Sequence, residues 1–276
     1  MSGSLSRGGA GVANAFQLVA DVGNTETVVG LLDLEGQDVR HHWRISTKVP
    51  RTRDEYGFLL KGLIDSAIPE GGALKRGVIG SVVPSQTTIL EPVFGALATG
   101  PVYVVGAGSP LPIQLDVDEP LTVGADRIVN TLAAKVRFGR DTVAVDLGTA
   151  TTYDCITAEG VFLGGVIAPG LSAGLDWLAR STAKLPKVEL TPPDTVIGRR
   201  TEACIQSGVF FSVVDSVDGV VRRIKDEWGR PDALVVATGG FASVIGPHAS
   251  TVDRIEPLLT LQGLGIAGAE LERAGT

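Results

Sequence analysis

Apolar positions along this chain recur in two rhythms, short runs bounded by Gly, Asn and Pro that predict strands, and longer stretches at helical spacing. The first run, Phe16 to Ala20, meets Asp21-Val22-Gly23-Asn24-Thr25 and resumes at Val28 to Leu32, a pattern that predicts a tight hairpin. Residues 38–46 alternate weakly and supply a third strand through the turn Glu35-Gly36-Gln37. A helix follows from about Thr52 to Ala67, with Tyr56, Leu59, Leu60, Leu63 and Ile64 at helical spacing and Thr52 to Glu55 forming a capping-box pattern. A buried strand at Val78 to Val83, a helix at Gln86 to Ala98 and a strand at Val102 to Val105 complete an order of three strands, helix, strand, helix, strand.

The pattern then starts again. After proline-punctuated residues 110–120, Gly124-Ala125-Asp126-Arg127 leads into a helix with Ile128, Leu132, Ala133 and Val136 on one face, ending near Gly139. A second hairpin spans Thr142 to Thr157 and repeats the grammar of the first: apolar strand, Asp146-Leu147-Gly148, a Thr-rich turn, apolar strand. Asp146 lies 125 residues beyond Asp21, close to half of the 276-residue chain, which predicts a duplicated fold. The strand Val161 to Ile167 is expected to be broken by Gly164-Gly165 and Ala168-Pro169-Gly170, which introduce a helix over Leu171 to Ser181. A polar, proline-rich connection, 187–198, is the expected mobile segment. The helix Thr201 to Trp228 places Ile205, Val209, Val213, Val217, Val220 and Ile224 on one face; a strand, Leu234 to Ala237, runs into Thr238-Gly239-Gly240; a last helix covers about Gly263 to Arg273.

These elements predict an α/β protein with two ribonuclease-H-like domains, in which hairpin strands pair antiparallel and later strands join through crossovers. The expected division is a disordered extension over 1–15, an N-terminal domain over 16–122 and a C-terminal domain over 123–276. Two hairpins facing each other across a nucleotide cleft would present two carboxylates and two sets of outward backbone amides.

Charge and composition narrow the function. The net charge is −7, with no lysine-rich run, so there is no electrostatic footprint for nucleic acid or an anionic membrane surface. No uninterrupted apolar stretch of membrane-spanning length occurs, and the Gly/Ser-rich start has no apolar core of a signal peptide, so the expected location is cytoplasmic. Cys155 and Cys204 lack metal-ligand spacing and are expected to be buried free thiols in a reducing compartment. His41, His42 and His248 lie far from the motifs and are expected to be structural.

The chemistry concentrates at few residues. An Asp-x-Gly turn lets the backbone approach an anion; Asn24 and Thr25 add donors, and Asp21 can hold a hydrated divalent cation beside phosphates. Asp126 opens a helix, where a carboxylate accepts amide hydrogen bonds; the same carboxylate can take a hydroxyl proton while Arg127 reads a carboxylate or phosphoryl oxygen. Thr238-Gly239-Gly240 is either a plain strand-to-helix turn or a nucleotide-flanking one, and Thr201 is expected to be a helix cap. A Gly-x-x-x-x-Gly-Lys loop and a dinucleotide fingerprint are absent.

Taken in order, Asp21-Val-Gly-Asn-Thr25, Gly124-Ala-Asp-Arg127, Asp146-Leu-Gly-Thr-Ala-Thr-Thr152, Gly164-Gly-Val-Ile-Ala-Pro-Gly170, Thr182-Ala-Lys-Leu-Pro186, Ile197-Gly-Arg-Arg-Thr201 and Thr238-Gly-Gly240 closely resemble type III pantothenate kinases. The resemblance implies the acetate and sugar kinase, Hsp70 and actin superfamily fold, a homodimer, and the ATP-dependent phosphorylation of pantothenate to 4′-phosphopantothenate in coenzyme A synthesis. It implies an ATP-binding run of Asp21, Val22, Gly23, Asn24, Thr25, Glu26, Thr27 and Val28, with Thr149 as a second ATP contact. It further implies pantothenate binding by Gly124, Ala125, Asp126, Arg127 and Thr201, Asp126 as proton acceptor, and Asp146 as ligand to a monovalent cation, potassium or ammonium, beside magnesium with ATP. Two departures stand out: Val117 occupies a place where many members carry tyrosine, and no lysine follows Glu26-Thr27. Homologues named as transcription accessory factors, and kinases of other small alcohols or acids on the same fold, are the alternatives.

Overall fold

The structure is a computed structural model that describes residues 15–275. The extension expected over 1–15 lies, but for Ala15, outside the described residues. The chain parses into two units, one reaching to Val105 and joined by the stretch from Leu264, the other Gly106–Gly263. The boundary anticipated at 122/123 falls inside the second unit.

In the first unit β1 (Ala15–Val22), β2 (Glu26–Asp33), β3 (Val39–Ser46), α1 (Arg53–Ala67), β4 (Ala73–Ser81), α2 (Pro84–Leu97) and β5 (Val102–Val105) follow in order. The sheet order is β3-β2-β1-β4-β5, with β1 antiparallel to β2 and parallel to β4. Alternation along β1 sends Phe16, Leu18, Ala20 and Val22 to one face, where Tyr56, Leu60 and Ile64 of α1 and Leu90 and Phe94 of α2 close the core. Thr52 starts α1 with the expected capping box, its backbone N–H donating to Glu55 Oε2 at 2.7 Å. The strand β4 starts at Ala73, earlier than the apolar run, because it carries the buried Arg76.

The second unit adds β6 (Gln114–Leu115), α3 (Ala125–Phe138), β7 (Thr142–Leu147), β8 (Ala150–Ile156), β9 (Val161–Pro169), α4 (Leu171–Ser181), α5 (Thr201–Trp228), β10 (Leu234–Thr238), α6 (Ala242–Ile245) and β11 (Arg254–Ile255). The helix α7 (Leu259–Ala274) follows, and its residues from Leu264 belong to the first unit. The second sheet reads β11-β10-β7-β8-β9-β6; without β6 this is the same path as the first sheet, three meandering strands and then two joined through crossovers. The duplication seen in the sequence is therefore a duplication of topology.

Several local expectations are corrected. Gly164-Gly165 do not break β9. They follow a register shift between Cys155 and Ile156, where β9 carries an extra residue, so the strand bulges and runs on to Pro169. The buried stripe of α5 runs through Ile205, Phe210, Val214, Val217 and Val221, with Val209, Val213, Val220 and Ile224 on its flanks. By length and hydropathy α5 could span a bilayer, although its apolar run is interrupted; here that stripe packs on the sheet residues Val143, Val145 and Val235. Cys204 is exposed and Cys155 half-buried, so the two free thiols are not both core residues.

The two faces of the second sheet differ. Val143, Val145, Leu147 and Tyr153 point toward α5. On the opposite side, Ala144 and Ile156 pack on Ala134 of α3, so by alternation Asp146, Thr152 and Asp154 also lie beneath that helix.

Candidate active site

The turn of the first unit is held by Gly23 N–H donating to the Glu26 carbonyl at 3.0 Å. Val22 and Thr27 are buried, and Thr27 Oγ1 lies 2.8 Å from Thr47 Oγ1. Glu26 pairs with Arg44 at 2.6 Å, and Val28 faces Asp21 across the ladder. Of the run 21–28, Asn24 and Glu26 are exposed, Asp21, Gly23, Thr25 and Val28 are half-buried, and Val22 and Thr27 are buried.

The second turn is shorter, closed by Gly148 N–H to the Ala150 carbonyl at 3.0 Å, with Thr149 exposed. Asp146, next to the end of β7, lies in register between Thr152 of β8 and Thr238 of β10. Burial pushes its carboxyl up to about 7, helped by the negative charges of Asp126 and Asp154 and opposed by a hydrogen bond from Asn130. The Asn130 amide is itself fixed, its Oδ1 accepting from Thr260 Oγ1 at 3.0 Å. Beside Asp146, Thr238 Oγ1 is buried with no hydrogen-bond partner among the described residues. Gly239 has φ +88, and a Cβ there would collide with Asp146 Oδ1 and sit 2.9 Å from both Leu147 N and O. The Thr-Gly-Gly turn therefore packs on the Asp146 carboxylate. It does not open a long helix, since α6 is a single turn that starts at Ala242.

Asp126 and Arg127 stand in the first turn of α3, whose N-cap is Gly124 and whose first helical residue, Ala125, is buried. Asp126 Oδ1 accepts the Arg127 backbone N–H at 2.8 Å, so the carboxylate is oriented by the helix start. Arg127 turns to Asp154: its Nε donates to Asp154 Oδ1 at 2.6 Å, and Nη2 lies 2.6 Å from the same oxygen. Its guanidinium also lies over the Phe162 ring, 4.8 Å from the centroid. Burial raises Asp154 to about 6 against the pull of Arg127, with Asp126 adding to the rise. Three carboxylates, one guanidinium and one amide thus share the electrostatics of one corner of the second unit.

Thr201 is the first residue of α5, and the N-cap is Arg200, so Thr201 is not the cap that helix-start statistics predict. It lines a cavity of about 670 Å³ between α4 and α5, together with Thr151, Tyr153, Leu171, Trp177 and Ile205. Asn130 and Asp154 were not legible as site residues. The signals were there: Asn130 sits four residues after Asp126 on one helix face, and Asp154 alternates with Thr152 toward α3.

Residues 17–223 match the family profile described as type III pantothenate kinase. The chain is 44% identical over 247 residues to the type III pantothenate kinase of Frankia alni, covering 90% of this chain and 96% of that protein. It is 44% identical over 249 residues to that of Syntrophotalea carbinolica, with the same two coverages, 90% and 96%. Among solved structures, a Baf family protein of Campylobacter jejuni described as a transcriptional activator aligns with a TM-score of 0.57 at 16% identity, over 94% of this chain and all of that one. A ROK family glucokinase from Streptomyces griseus, bound to glucose and AMPPNP, aligns with 0.51 at 14% identity, over 92% and 98%. The two structures carry the fold alone, an α/β arrangement with two sheets of like topology. The sequence match, which covers nearly the full length of both curated relatives, carries the family: this chain belongs to the type III pantothenate kinases.

Proposed function

We propose that this chain phosphorylates pantothenate with MgATP, giving 4′-phosphopantothenate and ADP in the first step of coenzyme A synthesis. The observation that carries the reading is the placement of Asp126, oriented by its own helix start and close enough for its charge to act on the Asp146 and Asp154 carboxylates, in a kinase of this family. In the reaction the pantothenate hydroxyl oxygen bonds to the γ-phosphorus, the bond from that phosphorus to the β–γ bridging oxygen breaks, and Asp126 receives the hydroxyl proton. Phosphoryl transfer asks for little covalent work, so positioning and charge compensation dominate. The turn 21–28 supplies amides, the Asn24 and Thr25 donors and the Asp21 carboxylate for the magnesium-bound phosphates, and Thr149 is a second contact to ATP. Gly124, Ala125 and Thr201 line the pantothenate, and Arg127 takes its carboxylate.

A monovalent cation fits the residues around Asp146: a half-buried, desolvated carboxylate pushed to about 7 gains from a cation, and the buried Thr238 hydroxyl beside it lacks a partner among the described residues. Asp146 would hold potassium or ammonium there, and the ion, when bound, offsets triphosphate charge. The protein acts as a homodimer in the cytoplasm. Supporting the dimer, Trp177 is 63% exposed on the rim of the large apolar cavity, and Ile167 and Ile197 of the same unit are 66% and 83% exposed. The test is ADP release with MgATP and pantothenate in potassium and in sodium buffer. Pantothenate-dependent release in potassium, reduced by at least ~100-fold in Asp126→Asn with ATP binding retained, supports the reading. Release with a different alcohol and none with pantothenate overturns the substrate; near-normal turnover of Asp126→Asn removes Asp126 from the base role.

A further inference from the structure

We infer that Asp154, acting with Phe162, is the positioning residue that fixes Arg127 for the substrate's anionic end; the inference rests on the proposed contact between Arg127 and the pantothenate carboxylate. An arginine side chain is long and rotamer-rich, and a site on its guanidinium is only as well defined as whatever holds the plane. Here the plane is held on three sides. Asp154 Oδ1 occupies the edge made by Nε and Nη2. The Phe162 ring covers a face. The backbone of β9 closes the remaining approach at Gly165, opposite Asp154 in the ladder, where an added Cβ would lie 3.0 Å from Nη2 and collide with the Tyr153 carbonyl. Nη2, although 2.6 Å from Asp154 Oδ1, makes no hydrogen bond among the described residues, so the held guanidinium keeps donor capacity for an incoming oxygen. The Arg127 side chain is 16% exposed and that of Asp154 is 0% exposed, which is the burial expected of a reader and its holder.

Stability alone does not account for this pair. A buried ion pair carries a desolvation penalty that its attraction repays only when every remaining atom is hydrogen-bonded, and apolar residues of like volume often serve as well. Asp154 Oδ2 is buried with no partner among the described residues, so the pair is an incompletely compensated one. What it provides is registry. Asp126 and Arg127 are consecutive in the first turn of α3, so a fixed guanidinium sets where the carboxylate end of pantothenate lies relative to the base that takes the proton from its hydroxyl end.

The test is a double-mutant cycle on Asp154→Asn and Arg127→Met, read as KM for pantothenate, KM for ATP and kcat, with each variant's fold checked by circular dichroism. Asp154→Asn should raise KM for pantothenate on the order of 10- to 100-fold while leaving KM for ATP in place, and should add nothing further in the Arg127→Met background. Binding of pantothenol, which carries a neutral hydroxyl in place of the carboxylate, should be indifferent to Asp154→Asn. An unchanged KM for pantothenate in Asp154→Asn, or the same rise with Arg127 absent, overturns the inference. If Arg127→Met itself leaves KM for pantothenate unchanged, the underlying contact is wrong and the inference falls with it. Should Asp154→Asn fail to fold, Phe162→Leu, which keeps the ion pair and removes the ring face, decides by the same rise in KM or its absence.

Discussion

Replacing Asp146 by asparagine should stabilise the free protein in alkaline buffer while abolishing its chemistry. The ordinary carboxyl value is 3.8, and the folded chain raises it to about 7, first by burial and then by the charges of Asp126 and Asp154. Between those values the folded state holds a proton that the unfolded chain has released. Stability is therefore greatest below about pH 4, falls as pH climbs toward 7 and is level above it. At about 1.4 kcal/mol per pH unit, the ionised carboxylate costs the fold about 4 kcal/mol at pH 8. An asparagine amide at this position cannot ionise, so the variant escapes that slope, less about 1 kcal/mol for the weakened hydrogen bond from Asn130. The expected net gain is about 3 kcal/mol at pH 8, or roughly 6–12 °C in Tm, shrinking toward zero near pH 4. The assay is thermal and urea denaturation of both proteins from pH 4.5 to 8.5, with tetramethylammonium as the sole buffer cation. Added potassium should then raise the wild-type Tm at pH 8 and leave Asp146→Asn unmoved. A difference that does not change with pH, or a variant less stable at pH 8, would refute the burial argument.

Two further substitutions probe the supports of the same carboxylate. Asn130→Ala removes the donor to Asp146 and leaves the Thr260 hydroxyl without its acceptor, so it should cost about 2–3 kcal/mol in urea denaturation and move the potassium activation curve to higher concentration. Gly239→Ala places a methyl group against Asp146 Oδ1 at φ +88; kcat should fall on the order of 100-fold in the ADP-release assay, with a stability loss of about 1–3 kcal/mol.

What the sequence made legible was whatever depends on local spacing. The two Asp-x-Gly hairpins, the Thr52–Glu55 capping box and the bounds of α4 and α5 all follow from residues within a turn or two of one another. What it hid depends on who is buried beside whom. β11 is two residues long and exists because it pairs with β10, and α7 begins four residues before the expected Gly263 because Leu259 packs into the core with Val236 and Ala133. The buried face of α5 differs from the expected one for the same reason, since two apolar stripes offset by one residue are equally periodic until a sheet selects one. Asn130 and Asp154 are polar and fully buried; spacing puts them on the faces of Asp126 and Thr152, but it does not by itself say that those faces are covered.

The buried polar residues also distinguish the two copies of the duplicated fold. Each sheet has an apolar face under two helices and an opposite face with buried polar groups. In the first unit those groups satisfy one another: Gln17 Nε2 donates to the carbonyls of Asp33 at 2.7 Å and Gly265 at 3.1 Å, and Arg76 bonds to Gln17, to Glu272 and to the Leu34 carbonyl. That network anchors the end of α7 on the sheet and places its donors wholly within the protein. In the second unit the corresponding face leaves Thr238 Oγ1 and Asp154 Oδ2 without partners among the described residues and pushes two carboxylates up to about 7 and 6. A fold tolerates such incomplete compensation where a ligand completes it, and perturbed carboxylates gather at such places. The same topology thus carries a finished polar face in one unit, where it stabilises, and an unfinished one in the other, at the corner proposed to take the cation and the acceptor substrate.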